Sequence, residues 1–145
     1  MNLRPIQFDS TDYQAALHLR QQVLRAPLGL NLADENLEAE REQQHFGVFD
    51  DNGILLACVI AAPLSPSLVK VRQMAVATAY QRQGLGRTLL GGVEAILLGG
   101  GVATLTLHVR WSSVGFYRRL GYATHGERFI EIGLPHVEMR KQLSA

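Results

Sequence analysis

The chain has 145 residues, 47% of them hydrophobic and 19% charged, with 14 basic side chains against 13 acidic ones. That length suits one domain burying roughly 68–70% of the surface its unfolded chain exposes, and a net charge of +1 lacks the strongly basic footprint of a general nucleic-acid binder. The longest apolar run, Ile54 to Leu64, falls far short of the ~20 residues that span a bilayer, and a lone cysteine, Cys58, excludes an intrachain disulfide.

These features predict a single domain over residues 1–145, cytoplasmic in setting, with neither nucleic acid nor membrane as partner. In chain order, Leu3 to Phe8 reads as a first strand. Ser10, Thr11 and Asp12 are helix-capping residues, and the apolar spacing of Tyr13, Ala16, Leu17, Val23 and Leu24 predicts a helix to about Arg25, ended by Pro27 and Gly29. A charged second helix is expected over about Ala33 to Gln43. Phe46 to Phe49 and Ile54 to Ala62 flank Asn52-Gly53, the signature of a tight hairpin. The second of these runs is apolar without alternation, so it should be covered on both faces, and Cys58 within it should be a buried, unreactive thiol.

The next segment changes phase. Val69 and Val71 put apolar residues on odd positions, whereas Met74 and Val76 put them on even ones. Side chains alternate along a strand, so the slip requires an extra residue, a bulge near Gln73. Gln81-Arg82-Gln83-Gly84-Leu85-Gly86-Arg87-Thr88 then opens a helix to about Leu98, with Leu85, Leu89, Val93, Ile96 and Leu97 as its apolar stripe and three glycines at its end. Gly91 and Gly92 inside it call for close packing against the sheet. Leu105, Leu107 and Val109 alternate with polar residues as a strand. Ser112 or Ser113 should cap a short helix through Phe116, Tyr117 and Leu120. Two more strands are expected around a turn at Gly133-Leu134-Pro135. The order β-α-α-β-β-β-α-β-α-β-β describes an α/β (α+β) domain built on a mixed, mostly antiparallel twisted sheet with a bulged, splayed fourth strand.

Glycines at the first turn of a helix leave backbone N–H groups bare, and the helix dipole favours negative charge there. With Arg82 and Arg87 beside it, the turn suits a phosphate or pyrophosphate. It is not a P-loop, because no Gly-Lys-Ser/Thr ending is present. A dinucleotide fingerprint would need glycine where Leu89 stands. Charge is uneven as well: seven acids against one base from Asp34 to Asp51, and seven bases against one acid from Lys70 to Arg119. This fits a positive region for an anionic ligand, and equally two solvated faces that differ.

Gln81-Arg82-Gln83-Gly84-Leu85-Gly86 resembles the Gln/Arg-x-x-Gly-x-Gly/Ala turn of the GNAT N-acetyltransferase superfamily, here after Met74-Ala75-Val76. Phe116-Tyr117-Arg118-Arg119-Leu120-Gly121-Tyr122 is similar to that family's Phe-Tyr-x-x-x-Gly-Phe/Tyr. The resemblance spans essentially the whole chain. It implies an N-acetyltransferase that uses acetyl-CoA as co-substrate, moving an acetyl group to a primary amine by direct attack in a ternary complex. The pyrophosphate would lie on the amides from Gln83 to Thr88, and the pantetheine arm along Met74, Ala75 and Val76. The resemblance makes the Val76 backbone N–H the oxyanion donor and Tyr117 the general acid toward the CoA sulfur; a phenol stays protonated at neutral pH. Relatives often carry Asn and Ala where this chain has Arg110 and Ser113. Arg110 is then a candidate for the cofactor's phosphates or adenine, and Trp111 reads as a packing residue.

Candidates for the base are Glu127, Glu131 and His136, with His108 behind them, and a water relay is an alternative to any side chain. His136 and Glu127 stand first. No histidine or cysteine has metal-ligand spacing. The acceptor, small molecule or peptide, stays open. Acids between Tyr13 and Gln43 suit a cationic amine, whereas Arg20 and Arg25 suit one carrying a carboxylate. A homodimer also stays open. So do two non-enzymatic alternatives, an acyl-CoA-binding sensor and a docking protein using its acidic segment.

Overall fold

The computed structural model describes residues 1–143; the last two of the expected 1–145 domain lie outside them. The elements run β1 (Asn2–Ile6), α1 (Thr11–Arg20), β2 (Gln44–Phe49), β3 (Leu55–Pro63), β4 (Leu68–Val76), α2 (Leu85–Gly99), β5 (Thr104–Arg110), α3 (Val114–Arg119), β6 (Ala123–Thr124), β7 (Phe129–Glu131) and β8 (Leu134–Gln142). They form one open sheet in the order β1-β2-β3-β4-β5-β8-β6, with β7 paired to β8. Every pairing is antiparallel except β4 with β5.

Ser10 caps α1 as expected, its Oγ accepting from Tyr13 N at 3.1 Å. α1 is shorter than its sequence pattern, because Gln21–Arg25 widens into a π-turn before Pro27. The expected second helix is replaced by two 3-10 turns, Leu32–Asp34 and Leu37–Glu40, with Glu35 extended between them. This stretch buries only Leu32 and Glu40, too few apolar contacts to hold a continuous helix. β3 is buried from Leu56 to Ala62, covered on both faces as its composition requires. Cys58 lies within it, and burial pushes its thiol pKa up to about 12.

α2 packs Leu85, Leu89, Leu90, Val93 and Leu97 on the main core, so Leu90 takes the place expected for Ile96, which is exposed. Only one of the two internal glycines is closely packed: Gly92 meets the Leu3 side chain, while Gly91 faces open space. Ser113 precedes α3 without a side-chain capping bond. The tail contains three strands rather than two. Its tight turn is Ile132-Gly133, both at positive φ (52° and 71°), so Leu134 and Pro135 already belong to β8. Among the described residues no helix is long and apolar enough to cross a membrane.

The bulge is the feature that shapes the molecule. Cys58 faces Ala75 and Ile60 faces Arg72, so Val59 alone opposes Gln73 and Met74. Gln73 adopts φ +57°, the left-handed conformation of a bulge residue. Val69 and Val71 join the main core, Ala75 joins the smaller core under α1, and Met74 and Val76 return to the main-core side. The phase slip read from the sequence is thus a real change of face. β5 pairs with β4 only from Leu68 to Lys70, after which the two strands part.

Candidate active site

The parting of β4 and β5 opens a cleft of about 720 Å³ through the middle of the sheet. β4 contributes Lys70, Arg72 and Met74, β5 contributes His108 and Arg110, and Tyr117, Glu131 and His136 close in from α3, β7 and β8.

Along the β4 edge, Ala77 N donates to Leu56 O at 2.8 Å while Ala57 faces Val76. Alternation in an antiparallel ladder makes Val76 a non-hydrogen-bonded residue, whose N–H and C=O turn away from β3. Its C=O accepts from Gln81 Nε2 at 3.0 Å. The Val76 N–H faces the gap that β5 has left, and the same alternation turns the Met74 backbone groups that way. Ala75 faces the other way, toward β3.

Gly84 takes φ +79° just before α2, and a Cβ built there meets nothing within 4 Å. The first intrahelical bond runs from Thr88 N to Gly84 O at 3.0 Å, so the amides of Leu85, Gly86 and Arg87 precede it. Thr88, expected to offer its amide, has it engaged. Gln83 Nε2 donates to Ala79 O at 3.1 Å, so the side chains of Gln81 and Gln83 shape the turn while Arg82, Arg87 and Thr88 remain exposed. Gly86 lies against Val76, Met74 and Phe116, joining the turn to the strand edge. Amides without intrahelical partners, a glycine with open space before them and two exposed arginines that make no ion pair among the described residues form a cradle that fits a pyrophosphate.

Tyr117 reaches the cleft between Phe116 and Tyr122, at ring-centroid distances of 5.0 and 5.9 Å. Burial pushes its phenol pKa up to about 12, keeping it protonated at neutral pH. On the opposite wall Glu131 stands between two histidines. Its Oε1 accepts from His108 Nδ1 at 2.9 Å and its Oε2 lies 3.8 Å from His136 Nε2. His136 Nδ1 is 2.9 Å from Leu134 O. A carbonyl only accepts, so Nδ1 carries the proton and Nε2 of the neutral ring holds the lone pair. The sequence singled out these three residues separately but not as a group, because they come from three strands. Glu127 is exposed on the turn before β7 and does not line the cleft. Arg110 does. Trp111 is not packed inside; it is 46% exposed beneath the Arg128 guanidinium.

Of the two charge sets considered for the acceptor, both arginines and three of the acids are engaged within the protein, whereas Asp34 and Glu42 are exposed without an ion pair among the described residues. Arg20 is buried on Glu40, and Arg25 binds Glu35 and donates to Gln73 Oε1 at 3.0 Å. Glu38 pairs with Arg41. Among the described residues no group of three or more His, Cys, Asp or Glu could hold a metal ion.

A family model described as an acetyltransferase (GNAT) domain matches residues 17–143. The uncharacterized protein YyaT of Bacillus subtilis is 30% identical over 150 aligned positions, covering 99% of this chain and 97% of its own. A crystal structure of a Lactobacillus plantarum protein assigned as an N-acetyltransferase superposes with a TM-score of 0.88 at 21% identity, covering 99% of this chain and 100% of that one. An aminoglycoside 6'-N-acetyltransferase complexed with coenzyme A superposes with a TM-score of 0.81 at 15% identity, over 100% and 98% of the two chains. At these identities the structural likenesses carry the fold.

Proposed function

The chain belongs to the GNAT acetyltransferase family, and from that premise we propose that it transfers an acetyl group from acetyl-CoA to a primary amine by direct attack in a ternary complex. The observation that carries this reading is the Val76 N–H turned away from β3, on the side where β5 no longer pairs with β4, beside the bare amides of α2. The amides of Leu85, Gly86 and Arg87 would hold the pyrophosphate, with Arg82 and Arg87 adding charge, and the Met74–Val76 edge would hold the pantetheine arm. Arg110, on the cleft wall, is left for the cofactor's phosphates or adenine. Acetyl-CoA would supply an activated thioester.

The chain's own groups divide the remaining work. The Val76 N–H donates to negative charge developing on the acyl oxygen, a role preorganised by the ladder that fixes its direction. Tyr117 presents a protonated phenol to the departing sulfur, whose thiol pKa near 8–9 otherwise favours return attack. His136 Nε2 takes the proton of the attacking amine, directly or through water, and Glu131 steadies the imidazolium that results.

Calorimetric titration with acetyl-CoA beside ATP and NAD tests the reading. Acetyl-CoA should bind selectively, and Gly84→Glu should abolish that binding by placing an anion in the cradle. Folded protein, free of copurified CoA, that does not bind acetyl-CoA would refute it.

A further inference from the structure

α1 covers one face of β2, β3 and the end of β4 through Tyr13, Ala16 and Leu19. Beyond its reach the same face forms the cleft wall away from Tyr117 and α2. Val69, Val71, Leu105, Leu107 and Val137 all point into the main core, so alternation sends Lys70, Arg72, His108, Arg110 and His136 to this other face.

The charges there do not balance. Histidines aside, the cleft is lined by four bases, Arg25, Lys70, Arg72 and Arg110, against two acids, Glu35 and Glu131. Arg25 and Glu35 cancel as a pair, which leaves Lys70, Arg72 and Arg110 facing Glu131 alone, held between the two histidines. Glu138, the next acid along the wall, accepts from Thr106 and Arg140. Arg72 Nη1 donates to Gln43 Oε1 at 2.9 Å, a neutral partner that holds the guanidinium without neutralising it. Among the described residues, neither Lys70 nor Arg72 has a carboxylate within ion-pair distance. Burial lowers the Lys70 pKa and Arg72 lowers it further, against the pull of Glu131 and Glu138. A concave site whose charge is predominantly of one sign focuses its field and recruits the opposite charge.

Resting on the transfer reading above, we infer that the acceptor amine carries an anionic group, carboxylate or phosphate, which sits on Lys70 and Arg72 while its amine meets His136. A polycationic amine would bring its further ammonium groups against the same two cations. Arg72 offers a planar fork suited to either oxyanion, and Lys70 a point charge beside it.

Matched amine pairs test this at saturating acetyl-CoA, by the rate of CoA thiol release: β-alanine against β-alaninamide, phosphoethanolamine against ethanolamine, with spermidine as the polycation. The anionic member of at least one pair should show kcat/KM about tenfold or more above its neutral partner, the scale of one charge-assisted hydrogen bond, and the preferred pair separates carboxylate from phosphate. Lys70→Met and Arg72→Met, both apolar and of similar reach, should each bring that ratio toward one, chiefly through KM. A ratio at or below one in both pairs, or spermidine as the best acceptor, overturns the inference. Should none of the panel turn over, the same pairs titrated into CoA-loaded protein decide it: selective binding of an anionic member, weakened in Lys70→Met, sustains the inference, and its absence overturns it. Acetyl-CoA binding without anion preference refutes this inference alone, whereas failure to bind acetyl-CoA refutes the transfer reading beneath it.

Discussion

Glu40→Gln probes the most deeply buried charges in the protein. Glu40 Oε1 accepts from Tyr13 Oη and Arg20 Nη1, both at 2.8 Å, and its Oε2 accepts from Arg20 Nη2 at 2.7 Å. The side chains of Arg20 and Glu40 are only 2% and 4% exposed. Burial opposes the Glu40 charge, but Arg20 outweighs it and holds the carboxyl below its usual range. The amide keeps the shape and removes the charge, leaving a guanidinium buried without a counterion. At an effective dielectric near 20 and a charge separation of about 4 Å the lost attraction is about 4 kcal/mol, within the roughly 3–5 kcal/mol observed when one partner of a buried pair is removed. For a domain of this length that lowers Tm by about 10 °C or more. Urea unfolding and calorimetry would measure both. Arg20→Met combined with Glu40→Leu should cost far less than the two single changes added, because each single change strands a buried charge and the double strands none. A loss below about 1 kcal/mol for Glu40→Gln, or additivity in the double variant, would refute the account of a desolvated, mutually dependent pair.

Tyr117→Phe should lower kcat on the order of a hundredfold while calorimetry still detects acetyl-CoA binding, because it removes only the hydroxyl that donates the proton; an unchanged kcat would take the general acid away from this residue. Gln81→Leu deletes the bond to the Val76 carbonyl and should cost about 0.5–1.5 kcal/mol in urea unfolding together with a raised KM for acetyl-CoA, since the same bond ties the turn to the strand edge. Stability should fall on acidification in two stages. Burial lowers the pKa of His45 despite its bond to Glu40 O, so the unfolded chain takes up the proton first and stability declines as pH drops through about 6.5. Glu35 and Glu40, both held below the ordinary carboxylate range by their arginines, add a steeper loss below about pH 4.5. Urea midpoints that stay flat from pH 7 to 5 would refute a neutral buried His45.

Local chemistry carries a long way in this chain. The Asn52-Gly53 hairpin, the unbroken apolar run of β3, the Ser10 cap and the shift of phase between Val71 and Met74 each report a backbone or burial requirement within a few residues, and each appears where its pattern puts it. The glycine turn is of the same kind, because bare amides at a helix start are a local property. The second helix does not form because a charged stretch carries no burial of its own, and Glu40 stays folded inward through Tyr13 and Arg20, both at least twenty residues earlier. Ile132-Gly133 was misplaced because a β-branched residue at positive φ is held there by the β7–β8 ladder, not by its own preference. The site divides in the same way. Tyr117 and the cofactor turn were legible as motifs, whereas the His108–Glu131–His136 group joins three strands and exists only once β8 inserts beside β5. In the sequence Lys70 and Arg72 are simply two of the seven bases between Lys70 and Arg119. That they face a cleft with no carboxylate in ion-pair reach of either, while Arg20 and Arg25 are paired with Glu40 and Glu35, follows from where α1 stops and where β4 leaves β5. Sequence determines which groups each strand offers to each face; only the folded sheet decides which of those charges meet one another and which are left for a ligand.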